Sequence, residues 1–107
     1  MEINGEIQQI SEIIQKTIQV ERIYLFGSYA YGQPNKGSDY DFFVVTPNDS
    51  VRPREVTRKI HWAVAQTPLM TPIDVLASTA DRFDEMKKLN TLERKIAREG
   101  VLLYERA

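Results

Sequence analysis

A mixed α/β fold, with one small β-sheet flanked by helices, is what this 107-residue sequence predicts. Three observations carry the prediction. Short β-rich runs (RIYLF, DYDFFVV and PIDVLAS) alternate with segments of helical period, the pattern of helices layered on a single sheet. Each run is bounded by Gly, Pro, Asn or Ser, which are turn-forming residues. The chain length, with 42% hydrophobic and 27% charged residues, suits one folded domain spanning 1–107.

The elements follow in order. Ile7, Ile10, Ile13, Ile14 and Val20 recur at helical spacing among Gln, Glu and Lys, which predicts an amphipathic helix over residues 6–19. RIYLF (22–26) is a strand stopped by Gly27, and Ser28 to Tyr31 can start a short helix. QPNKGS (33–38) is loop chemistry. DYDFFVV (39–45) is a second strand, ended by Thr46-Pro47-Asn48-Asp49. Phe42, Phe43, Val44 and Val45 read as core on both faces of it. Arg54 to Ala65 is helical, with Val56, Ile60 and Val64 on one side, and PIDVLAS (72–78) is a third strand. Thr79 caps a helix running to about Leu89, with Asp81 in its first turn. TLERKIAREG (91–100) is a further helix stopped by Gly100, and VLLY (101–104) closes the chain as a strand.

Composition excludes several classes of function. The formal net charge is −1, so no broad basic field draws the protein to nucleic acid, and direct DNA binding is not expected. There is no cysteine, which rules out disulfides, thiolate zinc sites and a cysteine nucleophile. MEINGEIQQISEIIQ lacks the basic start and apolar centre of a signal peptide. No apolar run approaches the roughly 20 residues of a membrane span. The expectation is a cytoplasmic protein that makes no membrane contact.

The informative stretch is GSYAYGQPNKGSDYD, residues 27–41. Side chains alternate along a strand, so Asp39 and Asp41 point the same way and Tyr40 points to the other face. Like charges on one face repel, and a divalent cation between them relieves the repulsion. Magnesium prefers such oxygen ligands and keeps positions open for phosphate and water. Gly27 permits a sharp turn close to a ligand. Backbone N–H groups after it, together with the Ser28 hydroxyl, suit a phosphate. D-x-D alone is usually a solvated pair. The order strand, Gly-Ser, D-x-D, strand is far more specific.

That order, in GSYAYGQPNKGSDYDFFVV, resembles the signature of the nucleotidyltransferase superfamily that includes polymerase β-like enzymes and aminoglycoside nucleotidyltransferases. The likeness is strongest to minimal nucleotidyltransferase (MNT) proteins, the antitoxins of HEPN/MNT toxin–antitoxin pairs. It extends through PIDVL to the closing TLERKIAREGVLLYE. The resemblance implies the nucleotidyltransferase fold. It also implies two magnesium ions, ATP as substrate, and a cognate HEPN-domain RNase toxin whose tyrosine hydroxyl receives AMP. Asp39 and Asp41 map onto the first two metal-binding carboxylates, and Asp74 in PIDVL onto the third, which is also a candidate base. An aspartate between Ile73 and Val75 is otherwise an odd choice unless it faces a polar site or water. Gly27, Ser28 and Ser38 fall at the nucleotide-binding positions. The family commonly has Arg where this chain has Tyr31, so a triphosphate here lacks that charge; Lys36 is either a substitute for it or, the reading favoured, a solvated loop lysine.

Two alternatives stand beside the enzyme. One is a non-catalytic antitoxin that neutralises a HEPN toxin by covering it, and the other is antibiotic modification, which usually needs an added domain. Arg52, Arg54, Arg58 and Lys59 form a basic helix face, either solvated or meeting an acidic partner. His61 and Trp62 read as helix-surface or partly buried residues. Tyr29 and Tyr31 are placed to stack on a base.

Overall fold

The computed structural model describes residues 4–32 and 39–107. Ser38 and Lys36 lie outside the described residues. The element order is α1 (Gly5–Thr17), β1 (Arg22–Phe26), β2 (Tyr40–Thr46), α2 (Pro53–Ala65), β3 (Ile73–Thr79), α3 (Ala80–Met86), α4 (Leu92–Glu99) and β4 (Val101–Glu105). The four strands form one sheet in the order β3-β2-β1-β4. β1 runs antiparallel to β2 and β4, whereas β2 and β3 are parallel. The sheet is therefore mixed, as expected.

The two faces of the sheet are covered by different helices. On one face Ile23, Leu25, Tyr40, Phe42, Val44 and Val75 pack with Ile7, Ile10 and Ile14 of α1 and Val56, Ile60 and Val64 of α2. On the other, Tyr24, Phe43 and Val45 pack with Phe83 of α3 and Ile96 of α4. β2 is thus apolar on both sides, because helices cover both. Phe42, Phe83 and Ile7, Ile10 and Ile14 of α1 are fully buried, and each such side chain contributes about 1.5–3 kcal/mol to folding.

Local chemistry explains most element ends. Asn4 caps α1, its Oδ1 accepting from the Ile7 amide at 2.8 Å. Thr91 caps α4 in the same way through the Arg94 amide at 3.2 Å. Pro53 opens α2, where a missing N–H costs nothing. Gly100 ends α4 with φ −69°, so positive φ is not its reason. A Cβ there would stand 2.7 Å from the Ile96 carbonyl oxygen and 3.2 Å from that of Leu25, and close approach to β1 selects glycine.

Two local expectations need correcting. Ser28 to Tyr31 is a turn, not a helix: the Ala30 and Tyr31 amides both donate to the Gly27 carbonyl at 3.1 Å, and positive φ at Gly27 and Gly32 brackets it. Thr79 sits at the N-cap of α3 but its side chain makes no capping bond. Asn48, from the loop after β2, supplies the acceptor instead, taking the Asp81 amide at 2.8 Å. α3 also ends at Met86, short of Leu89.

Candidate active site

Asp41 stands at the centre of the site. In the parallel pairing of β2 with β3 it lies directly opposite Asp74, and in the antiparallel pairing with β1 it lies opposite Phe26. Adjacent strands are about 4.8 Å apart, so paired residues of a parallel ladder present their side chains to one face as neighbours. That is the face of Phe43 and Val45, beneath α3 and α4, and it carries Asp41 and Asp74 at one end of the sheet. Asp39 precedes β2, two residues from Asp41, and is exposed. Burial first, then the charges of Asp74 and Asp39, push the Asp41 carboxyl above the ordinary carboxylate range.

Gly27 is shaped by the same carboxylate. Its φ is +77°, and a Cβ at this position would collide with Oδ2 of Asp41 and stand 2.9 Å from its Cγ. The turn after β1 therefore closes directly over Asp41, which only glycine allows. Ser28 follows at the exposed side of this turn, half-buried.

The opposite face holds the aspartates in place. Tyr40 points away from them, as expected, and is buried against α1. Its hydroxyl donates to Oε1 of Glu6 at 2.7 Å and accepts from Nδ2 of Asn4 at 3.2 Å. Thr71 donates to the same Glu6 oxygen at 3.0 Å, and the Tyr40 amide donates to the Pro72 carbonyl at 3.1 Å. Burial and the bond to Glu6 push the Tyr40 phenol up, so it stays protonated as a donor. The strand segment bearing Asp39 and Asp41 is pinned through the residue between them. Glu6 was not singled out by the sequence, where it reads only as a first-turn acid of a helix.

The tyrosines divide. Tyr29 packs edge-on against Tyr40, with ring centroids 4.6 Å apart, so it serves the α1-side core rather than a base-stacking surface. Tyr31 lies at the end of the sheet, and Nζ of Lys95 from α4 sits over its ring, 4.7 Å from the centroid. Burial, then the charges of Glu99 and Asp41, push its phenol up against an opposing pull from the Gly27 amide. That amide is near but does not complete a hydrogen bond, and among the described residues the Tyr31 hydroxyl has no partner. The hydroxyl end of Tyr31 thus faces Glu99, Gly27 and Asp41 while the ring carries Lys95.

The basic face of α2 lies elsewhere. Val56, Ile60 and Val64 pack α2 against the Tyr40 face of the sheet, so Arg52, Arg54, Arg58 and Lys59 are on the far side from the carboxylates. Arg58 bonds Glu55 at 2.9 Å. His61 is exposed, and Trp62 is 68% exposed.

The donor set fits a hard divalent cation. Among the described residues no group of three or more His, Cys, Asp or Glu side chains is placed to hold a metal ion. Magnesium does not need one: it is commonly held by one or two carboxylates, with water and substrate phosphates completing the shell. The neighbouring Asp41 and Asp74, with Asp41 raised by burial and then by its neighbours' charges, are a donor pair of that open kind.

The sequence matches the polymerase β nucleotidyltransferase family over residues 8–107. Solved structures of similar fold include a protein from Sulfolobus solfataricus described as a candidate nucleotidyltransferase. It is 18% identical with a TM-score of 0.63, over 92% of this chain and 77% of that one. A toxin–antitoxin with AMP-PNP is 21% identical with a TM-score of 0.59, over 96% and 75%. A double Asp→Glu mutant of the toxin–antitoxin MntA–HpeT is 19% identical with a TM-score of 0.58, over 97% and 75%. No curated protein matches the sequence. Among the described residues, no helix is long and apolar enough to cross a membrane.

Proposed function

The chain belongs to the polymerase β nucleotidyltransferase family, and from that premise we propose that it is an MNT-type antitoxin. In this reading it transfers AMP from ATP to a tyrosine hydroxyl of a cognate HEPN-domain RNase toxin. The observation that carries the reading is the in-register pairing of Asp41 with Asp74, beneath the turn at Gly27. It assembles, from three separate segments, an anionic pocket floor and a backbone that approaches close enough to touch a phosphate. Structures of similar fold that are toxin–antitoxins, one of them with AMP-PNP, support the choice of nucleotide and partner class.

The residues divide the work. Asp39 and Asp41, with Asp74, would hold magnesium, two ions in the full assembly, whose chemistry is to neutralise phosphate charge and align the reacting oxygens. Gly27 and Ser28 face the phosphates, and Ser38 is assigned to them from its place before the D-x-D. Asp74 is exposed, where an incoming hydroxyl can reach it. It accepts the acceptor's proton as the hydroxyl oxygen bonds to the α-phosphorus. The bond from that phosphorus to the bridging oxygen breaks, and pyrophosphate leaves with the electron pair. In this reading the acceptor is delivered by another protein, the toxin that carries the tyrosine.

Intact-mass measurement tests this directly. The protein is mixed with its HEPN partner, ATP and magnesium, beside an Asp41→Ala control. One or more adenylyl units should appear on the partner and vanish with the control. A complex that still forms and still blocks the toxin, with no change of mass, would replace the transferase with a covering antitoxin.

A further inference from the structure

Asp39, Asp41, Asp74 and a nucleoside triphosphate are all anionic, and magnesium offsets only part of that charge. The polyphosphate tail, which departs as pyrophosphate, needs protein cations as its charge develops. Most cations of the described chain are elsewhere. Those of α2 lie behind the opposite face of the sheet. Arg22 is bound to Asp84 at 3.3 Å and lies over the Phe83 ring, and Lys87 is bound to the same Asp84 at 3.2 Å. Arg106 faces Glu21 at 3.7 Å.

Lys95 differs from all of these. Among the described residues it makes no ion pair, although Glu99 lies one helical turn further along α4. Its ammonium instead rests on Tyr31, the residue whose hydroxyl end faces Gly27 and Asp41. The ring holds the charge by cation–π attraction and leaves the outer N–H donors open. Lys95 also borders a surface cleft of about 400 Å³, lined by Asn90, Thr91, Arg94, Arg98 and Glu99. That cleft brings three cations against one acid, beside a helix end whose cap is Thr91.

We infer that Lys95, seated on the Tyr31 ring, receives the polyphosphate tail of the nucleotide, with the α4 cleft as the exit of pyrophosphate. The inference rests on the nucleotidyltransferase reading above and assigns it a phosphate-binding residue. Tyr31 is then a positioning residue, a platform that aims a lysine from α4 toward the site. Adenosine and the α-phosphate lie on the aspartate side of the platform, so AMP does not use Lys95, whereas ATP and free pyrophosphate do.

Calorimetric titration with ATP, AMP and inorganic pyrophosphate, each with magnesium, tests the assignment. Lys95→Met keeps an apolar stem over the ring and removes the charge, while Lys95→Arg keeps the charge. The expected result is a loss of about tenfold or more in affinity for ATP and pyrophosphate with Met, as for a lost charge-assisted contact. AMP affinity should be unchanged, and Arg should restore most of the loss. Unchanged ATP affinity in Lys95→Met overturns the inference. So does an equal loss of ATP and AMP with a lowered melting temperature, because Lys95 is then only a structural cover for Tyr31. If the wild type binds pyrophosphate through Lys95 but not ATP, the anion site stands and the nucleotide reading falls. If it binds neither, both fall.

Discussion

The carboxylate of Asp41 occupies the space that a side chain at Gly27 would fill. A strand end and the turn that follows its neighbour are therefore made for each other, and Gly27 cannot gain a side chain while Asp41 stays in place. Gly27→Ala forces a left-handed φ on a residue with a Cβ and drives that Cβ into Asp41. The expected cost is about 1–3 kcal/mol of stability, read by urea denaturation. Displacement of Asp41 should also abolish nucleotide binding in calorimetry. A variant that keeps both would show that the turn and the carboxylate move independently.

Asp41 has an unusual sign in the stability of the protein. Its carboxyl is pushed up by burial and by Asp74 and Asp39, so the folded state holds that proton more tightly than the unfolded one. Its contribution is most favourable below the ordinary carboxylate range and is lost as pH rises through the raised value. Asp41→Asn should therefore raise the melting temperature at neutral pH, and the gain should fade in acid. Magnesium should raise the melting temperature of the wild type and leave that of Asp41→Asn nearly unmoved. A destabilised Asn variant at pH 7 would contradict the crowding of charge at this site.

Tyr40 anchors the two aspartates from the opposite face. Tyr40→Phe removes the donor to Glu6 and the acceptor of Asn4, leaving packing in place. A loss of about 1–2 kcal/mol is expected, the range for a hydrogen bond to a charged partner in a partly buried setting. Nucleotide affinity should fall with it, because the segment from Asp39 to Asp41 loses its fixed point. Equal affinity in the two proteins would limit Tyr40 to a folding role.

Asp84 gives the opposite pH behaviour. Its bonds to Lys87 and Arg22 hold the carboxyl below the ordinary range, outweighing the upward push of burial. It stabilises the fold above the ordinary carboxylate range, and that contribution disappears as pH falls through the depressed value. Asp84 is half-exposed and solvent screens its bonds, so Asp84→Asn should cost under about 1 kcal/mol at neutral pH. The difference from wild type should shrink in acid and in high salt. A cost that persists in acid would point to packing on Phe83 rather than charge.

How much was legible in advance can be judged residue by residue. The helical period of Ile7, Ile10 and Ile14, the strands around Leu25 and Phe42, and the common face of Asp39 and Asp41 all follow from local chemistry. An apolar stripe or an alternating strand states which side of an element is buried. The resemblance carried Asp74 to the site, and the strand pairing placed it beside Asp41. Local patterns failed where a remote side chain did the work. Asn48 displaced Thr79 as the side-chain cap of α3, because backbone amides at a helix start donate to any nearby acceptor. Tyr29 turned to Tyr40, since two aromatic edges bury more together than either does alone.

By itself, then, the sequence determined the kinds of element, their buried sides and the acidic motif that marks the site, since these depend on residues a few positions apart. Tertiary structure alone decided that Asp41 meets Asp74 across a parallel ladder, that Gly27 closes over Asp41, and that Lys95 rests on Tyr31. The physical reason is that periodicity specifies a face but not its neighbour. Which strands pair, and which helix lies over a turn, is settled only when the whole chain buries its two cores at once.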